Sequence, residues 1–197
     1  MYRNIGALAF AISLTAPCPA GAQRPIPHAA QADSSTVKDR QAFLTFVALV
    51  RRELIEAAEA MPADKYRFAP TEGEFANVRT FGRQVKHLSA TNYILAAAAL
   101  GQQPPRDAGD EQGPDSVVTK EQHIAYLRGS YDAVERAAKA IGDQSVPVIS
   151  SPISPLQGSS PTRSALVAEA LIHSFDHYGQ MVVYLRMNGV VPPASRR

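Results

Sequence analysis

The sequence predicts an all-α protein, a four-helix bundle with long connections. Three observations carry that expectation. Apolar residues recur three and four apart over four separate stretches, the period of a helix with one buried face. Each stretch is closed by a proline or a glycine. No stretch alternates polar and apolar residues with the β-branched enrichment of a strand.

The first helix is predicted from about Thr36 to Met61, with Phe43, Val47, Val50, Leu54, Ala57 and Met61 on its buried stripe and Pro62 as its stop. The second runs from about Asn77 to Leu100, with Val78, Phe81, Val85, Leu88, Asn92, Leu95 and Ala99 inward. Asn77 is expected to cap its start and Gly101 to end it. The third starts at Thr119, where Thr119-Lys120-Glu121-Gln122 fits a capping box. Ile124, Leu127, Tyr131, Val134, Ala138 and Ile141 form its stripe, and Gly142 closes it. The fourth begins at Ser160-Pro161 and reaches Asn188, with Gly189 and Pro192-Pro193 beyond. The connections 62–76, 101–118 and 142–160 exceed the ~2–8 residues of a tight helical hairpin. Connections this long either cross over the bundle or cover one end of it, and the last, rich in serine and proline, is a candidate to lie over a site.

Residues 1–22 have the layout of a secretory signal peptide. Arg3 gives a basic start, Ile5–Ala16 is apolar, and Ala20-Gly21-Ala22 is a small-residue cleavage site. Residues 23–35 are read as a flexible lead and 36–197 as the bundle domain. The protein is thus expected to be exported, periplasmic or secreted, with no membrane span once the leader is removed. The one cysteine, Cys18, lies inside the leader. The mature chain then has no disulfide, no thiolate nucleophile and no cysteine ligand. The formal charge is +2 and drops by one when Arg3 leaves with the leader. That offers no basic surplus for a phosphate backbone, so no nucleic-acid partner is expected.

The chemistry concentrates in "LIHSFDHYGQ", residues 171–180, which holds two of the five histidines. His173 and His177 lie within about 40° of each other on a helix that turns about 100° per residue. They share the inward stripe of Leu166, Ala170 and Tyr184. Two imidazoles so placed can chelate one ion, and they can equally be two polar side chains satisfied by other partners. The pair is no zincin motif, because Ser174 stands where the catalytic glutamate belongs. Asp176 projects away as a surface charge. His87 sits at the flank of the second helix's seam, on a secondary stripe with Gln84, Thr91 and Ile94. His123 reads as a surface residue beside the capping box, and His28 as part of the lead.

"LIHSFDHYGQMVVYLRMNGVVPPAS" together with "FGRQVKHLSATNYIL" resembles the DinB-like (YfiT-like) family of metal-dependent proteins. The most specific matches are the histidine of the second helix, the His-x-x-x-His with its following Gly-Gln, and the closing Tyr-Leu-Arg-x-Asn-Gly. The resemblance spans most of the chain after the leader. It implies an up-down-down-up path and a divalent ion held by His87, His173 and His177. It leaves the ion open among zinc, nickel, iron and manganese. It also implies homodimers in many relatives, and in some a transfer or isomerisation that uses a low-molecular-weight thiol. Export argues against that last activity here, because such thiols are scarce and oxidised outside the cytoplasm.

Three neutral imidazoles leave a divalent ion its full charge and at least one open position, where a water's pKa falls toward about 7. The expected function is therefore a metal-dependent hydrolase or transferase acting on a small molecule. The alternative is a helical bundle that binds a metal or ligand without turnover. Gln180, one turn after His177, and Glu169, one turn before His173, are candidates to orient the imidazoles. Asn92 either lines a polar pocket or pairs with another core polar group, and Tyr184 is placed to wall the site.

Overall fold

The computed structural model describes residues 28–108, 111–153 and 155–196. The described residues form four α-helices: α1 (His28–Ala60), α2 (Phe81–Ala99), α3 (Lys120–Lys139) and α4 (Arg163–Met187). Short 3-10 turns occupy Ala63–Lys65, Arg106–Ala108 and Pro193–Arg196. The described residues contain no strand, only an isolated bridge between Ser151 and Gln157. None of their helices is long and apolar enough to cross a membrane.

α1 begins at His28, ahead of the expected Thr36, and so takes in most of the segment read as a flexible lead. Ala29, Ala30, Gln31 and Ala32 are good helix formers and let the helix run on. The expected leader, residues 1–22, lies outside the described residues. At the start of α2, Thr80 rather than Asn77 is the cap, its hydroxyl accepting from the Arg83 N–H. Asn77 instead takes a left-handed turn (φ 65°), which asparagine tolerates better than most residues. The capping box at Thr119 forms as expected, with the Gln122 side chain returning to the Thr119 N–H. α4 starts two residues later than its expected Ser160 cap, because the Thr162 hydroxyl accepts from the Ala165 N–H.

The predicted stripes meet in one core. Leu54, Met61, Phe81, Leu88, Leu127, Tyr131, Leu166 and Met181 are fully buried. Phe43, Val78 and Ile124, at stripe ends, are half-buried. α1 lies diagonally across from α2, and each packs against both α3 and α4.

Side-chain contacts fix the directions. Lys120, at the start of α3, donates to the carbonyls of Glu59 and Met61 at the end of α1, and Arg51 pairs with Asp132 at 2.6 Å. Those two helices are antiparallel. Gly82 lies against His123, and further along Asn92 donates to Ser130, so α2 and α3 run parallel. Tyr184 donates to the Arg79 carbonyl, and Arg163 at the other end of α4 donates to the Ala99 carbonyl, so α2 and α4 are antiparallel. The path is up-down-down-up.

Parallel neighbours set two helix C-termini side by side, each with unsatisfied carbonyls and partial negative charge. Arg163 meets both. Its Nε donates to Ala99 O at 2.7 Å and its Nη1 to Ala140 O at 2.7 Å and Asp143 O at 2.9 Å. Its Nη2 donates to Val146 O. The residue is buried and makes no ion pair among the described residues; helix ends and loop carbonyls serve as its counter-charge. It lines a cavity of about 850 Å³ at this end of the bundle, together with Thr36, Asp39 and Val148.

Arg163→Met should lower unfolding stability by at least about 2 kcal/mol, since several buried carbonyls lose a charged donor at once. Urea melts of purified variants check this, and Arg163→Lys should recover only part of the loss, because one ammonium cannot span all the carbonyls.

Candidate metal centre

His87 lies on the second turn of α2, and His173 and His177 lie on successive turns of α4. The antiparallel α2–α4 seam brings them face to face. Ring centroids are 5.1 Å apart for His87–His173, 4.9 Å for His87–His177 and 4.5 Å for His173–His177. One ring nitrogen from each lies within 4.8 Å of the other two. Nitrogens on one ion lie at most about 4.2 Å apart, twice the zinc–nitrogen bond length. The three nitrogens therefore stand near the separations that one ion requires.

His87 is oriented by the connection between α2 and α3. Its Nδ1 sits 2.7 Å from the carbonyl oxygen of Glu111. A carbonyl only accepts, so Nδ1 carries the proton and Nε2 keeps its lone pair. The two α4 histidines have no such partner at one nitrogen each: His173 Nε2 and His177 Nδ1 are buried and make no hydrogen bond. Buried polar atoms are seldom left so. Three imidazoles converging with vacant lone pairs fit a divalent ion of the nitrogen-binding kind.

Burial is the main reason all three favour the neutral form. It pushes His87 down to about 4, assisted by the charges of Arg79 and His173. It pushes His177 down to about 3, assisted by His173, His87 and Arg79. His173 is lowered by burial and by Arg79, with Asp176 opposing. Neutral imidazoles are the form a metal binds, so no proton has to leave near pH 7.

The other sequence candidates separate. Gln180 belongs to a chain beside the histidines: its Oε1 accepts from Gln84 Nε2 at 2.6 Å, and its Nε2 donates to the exposed Asp176 at 3.0 Å. Tyr184 is buried behind it, edge-on to Phe68 at 5.6 Å. Glu169 is half-buried and makes no hydrogen bond or ion pair among the described residues. Asn92 pairs inside the core: Nδ2 donates to Ser130 Oγ at 3.3 Å. Beside it Tyr131 donates to Ser174 Oγ at 2.9 Å, and Ser174 donates to Ala170 O at 2.6 Å. These polar contacts bind α2, α3 and α4 together next to His173.

One expectation is corrected. His123 is buried, not on the surface: its Nδ1 bonds Thr119 O at 2.7 Å and its ring packs 5.3 Å from Tyr66. It stands outside the histidine cluster. The 142–160 connection covers one end of the bundle, where it lines the Arg163 cavity, away from the histidines. Ile149 bonds the Ala98 carbonyl, at the far end of α2. The segment over the histidines is the α2–α3 crossover, which must travel back along the bundle because those helices are parallel.

Gln84 and Glu111 were not singled out by sequence reasoning as members of the site. Gln84 was legible: three residues before His87, it mirrors Gln180 three residues after His177 across an antiparallel pair. Glu111 acts through its main-chain carbonyl, which leaves no side-chain signature.

Free histidines protonate near pH 6.5 when the chain unfolds. In the metal-free folded state His87 and His177 stay neutral well below that, so between about pH 6.5 and 4 the unfolded chain binds more protons and stability falls as the pH falls. Denaturant melts of metal-free protein at pH 7.5 and pH 5 should show that fall, with a shallower slope in His177→Gln.

A family model described as the DinB superfamily matches residues 47–181, a span that includes all three histidines. No curated protein matches the chain.

Proposed function

The chain belongs to the DinB superfamily, and we propose that it is an exported protein that holds a divalent metal through His87, His173 and His177 and acts on a small molecule as a hydrolase or transferase. The observation that carries this reading is the convergence of three imidazoles within 4.8 Å, two of them with a buried nitrogen that has no partner. A divalent ion there supplies Lewis-acid polarisation and a lowered pKa for bound water.

The protein's own part is to keep the imidazoles neutral by burial, to fix the His87 tautomer through Glu111 and to hold the α4 pair in register one turn apart. A cavity of about 770 Å³ adjoins the cluster through Gln84 and Gln180, a volume suited to a small organic substrate. Its presence favours turnover over simple sequestration. The identity of the ion stays open among zinc, nickel, iron and manganese, of which the first three suit imidazole ligands best. Export rests on the leader-like residues 1–22, and periplasmic or secreted location belongs to the same proposal. So does a homodimer, for which the exposed Ile172, Phe175 and Val183 of α4 provide apolar surface.

Calorimetric titration of metal-free protein with Zn²⁺ or Ni²⁺ at pH 7.5 should give one ion per chain. His177→Ala should weaken that affinity at least about a hundredfold, since one of three ligands is lost. Binding unchanged by His87→Ala, His173→Ala and His177→Ala would overturn the assignment.

A further inference from the structure

The cavity beside the histidines has a wall chemistry of its own. It lies between the start of α2, the second half of α4 and the segment before Thr80. Phe75, Val78 and Val183 give it an apolar side. Arg79 and Arg83 line it as well, and no acidic residue does among the described residues. Neither guanidinium makes a side-chain hydrogen bond or ion pair among the described residues. Elsewhere the arginines facing α1 and α3 are paired, Arg51 with Asp132 and Arg128 with Glu59. Arg79 is half-buried, so its charge is partly withdrawn from water without a counter-ion.

The position of Arg79 is fixed rather than chance. Its carbonyl accepts from the Tyr184 hydroxyl at 3.1 Å, which ties the segment before α2 to α4. Its charge reaches all three histidines, lowering the proton affinity of each. Gln84 and Gln180, bonded to each other, form the wall that the cavity shares with the cluster. That glutamine pair stands one helical turn from His87 and His177, between the cavity and the histidines.

We propose that this cavity binds a small organic carboxylate, its anionic group held by Arg79 with Arg83 at the mouth and its apolar body against Phe75, Val78 and Val183. A planar guanidinium matches a carboxylate with two parallel hydrogen bonds. The apolar wall selects a hydrocarbon or aromatic body over an inorganic anion. The inference deepens the proposed function by naming a substrate class, and rests on it for the chemistry but not for the binding.

The test compares 3-phenylpropionate with its uncharged amide, 3-phenylpropionamide, by calorimetry on metal-free protein and again after zinc loading. Using metal-free protein removes direct coordination of the acid by the ion. Wild type should bind the acid about tenfold more tightly than the amide, the worth of one charged hydrogen-bonded contact. Arg79→Gln should erase that preference with an unchanged melting temperature, since the guanidinium makes no internal bond, and Arg79→Lys should keep part of it.

Equal affinity for acid and amide, or a preference that survives Arg79→Gln, overturns the inference. Inorganic phosphate that binds as tightly as the phenyl acid also overturns it, because the apolar wall would then contribute nothing. A protein that takes up no zinc yet keeps the Arg79-dependent preference defeats the metal reading alone. One that binds zinc and shows no preference defeats this inference alone.

Discussion

The parallel packing of α2 against α3 is the constraint on which the rest of the structure turns. It places two helix C-termini side by side, where their partial negative ends repel. Arg163 relieves this from the first turn of α4, donating to the carbonyls of Ala99 and Ala140 at once. The same side chain thus sets where α4 enters the bundle and holds α2 in the antiparallel seam with it. Had α2 and α3 been antiparallel, a short turn would have joined them and no buried cation would have been needed.

Parallel packing also dictates the crossover. The chain leaves α2 at Gly101 and must return the length of the bundle before α3 begins at Lys120. On the way it passes His87, and the Glu111 carbonyl fixes that imidazole's tautomer. The topology therefore contributes a part of the site that no helix supplies. Rigid helices carry the three imidazoles, while a loop orients one of them and the Arg79 segment edges the neighbouring cavity. Ser174, between the two α4 histidines, is tied to Tyr131 of α3. The face that presents the histidines is locked by core hydrogen bonds as well as by apolar packing.

The fold was legible in the sequence wherever one period governed it. The stripes from Val47 to Met61 and from Phe81 to Ala99 are buried as their spacing requires, and the box at Thr119 forms. The helix starts were less legible, because Asn77, Thr80, Ser160 and Thr162 all carry a capping oxygen and local geometry chooses among them. The His173–His177 pair could be placed on one inward face by angle alone, but periodicity left His87 at a flank. Only the α2–α4 pairing, a tertiary fact, brings it to the others. His123 was misjudged because its polarity suggested solvent, whereas its ring fills the space between Tyr66 and the unsubstituted Gly82. Glu111 was invisible for a plainer reason: a main-chain carbonyl can belong to any residue.

A crystal of the zinc- or nickel-soaked protein, measured on both sides of the metal's absorption edge, tests the central claim most directly. One strong anomalous peak per chain is expected, bonded to a ring nitrogen of His87, His173 and His177, with His87 still donating through Nδ1 to the Glu111 carbonyl. A peak held by other residues, or none while His173 Nε2 and His177 Nδ1 take up protein or water partners instead, would contradict it.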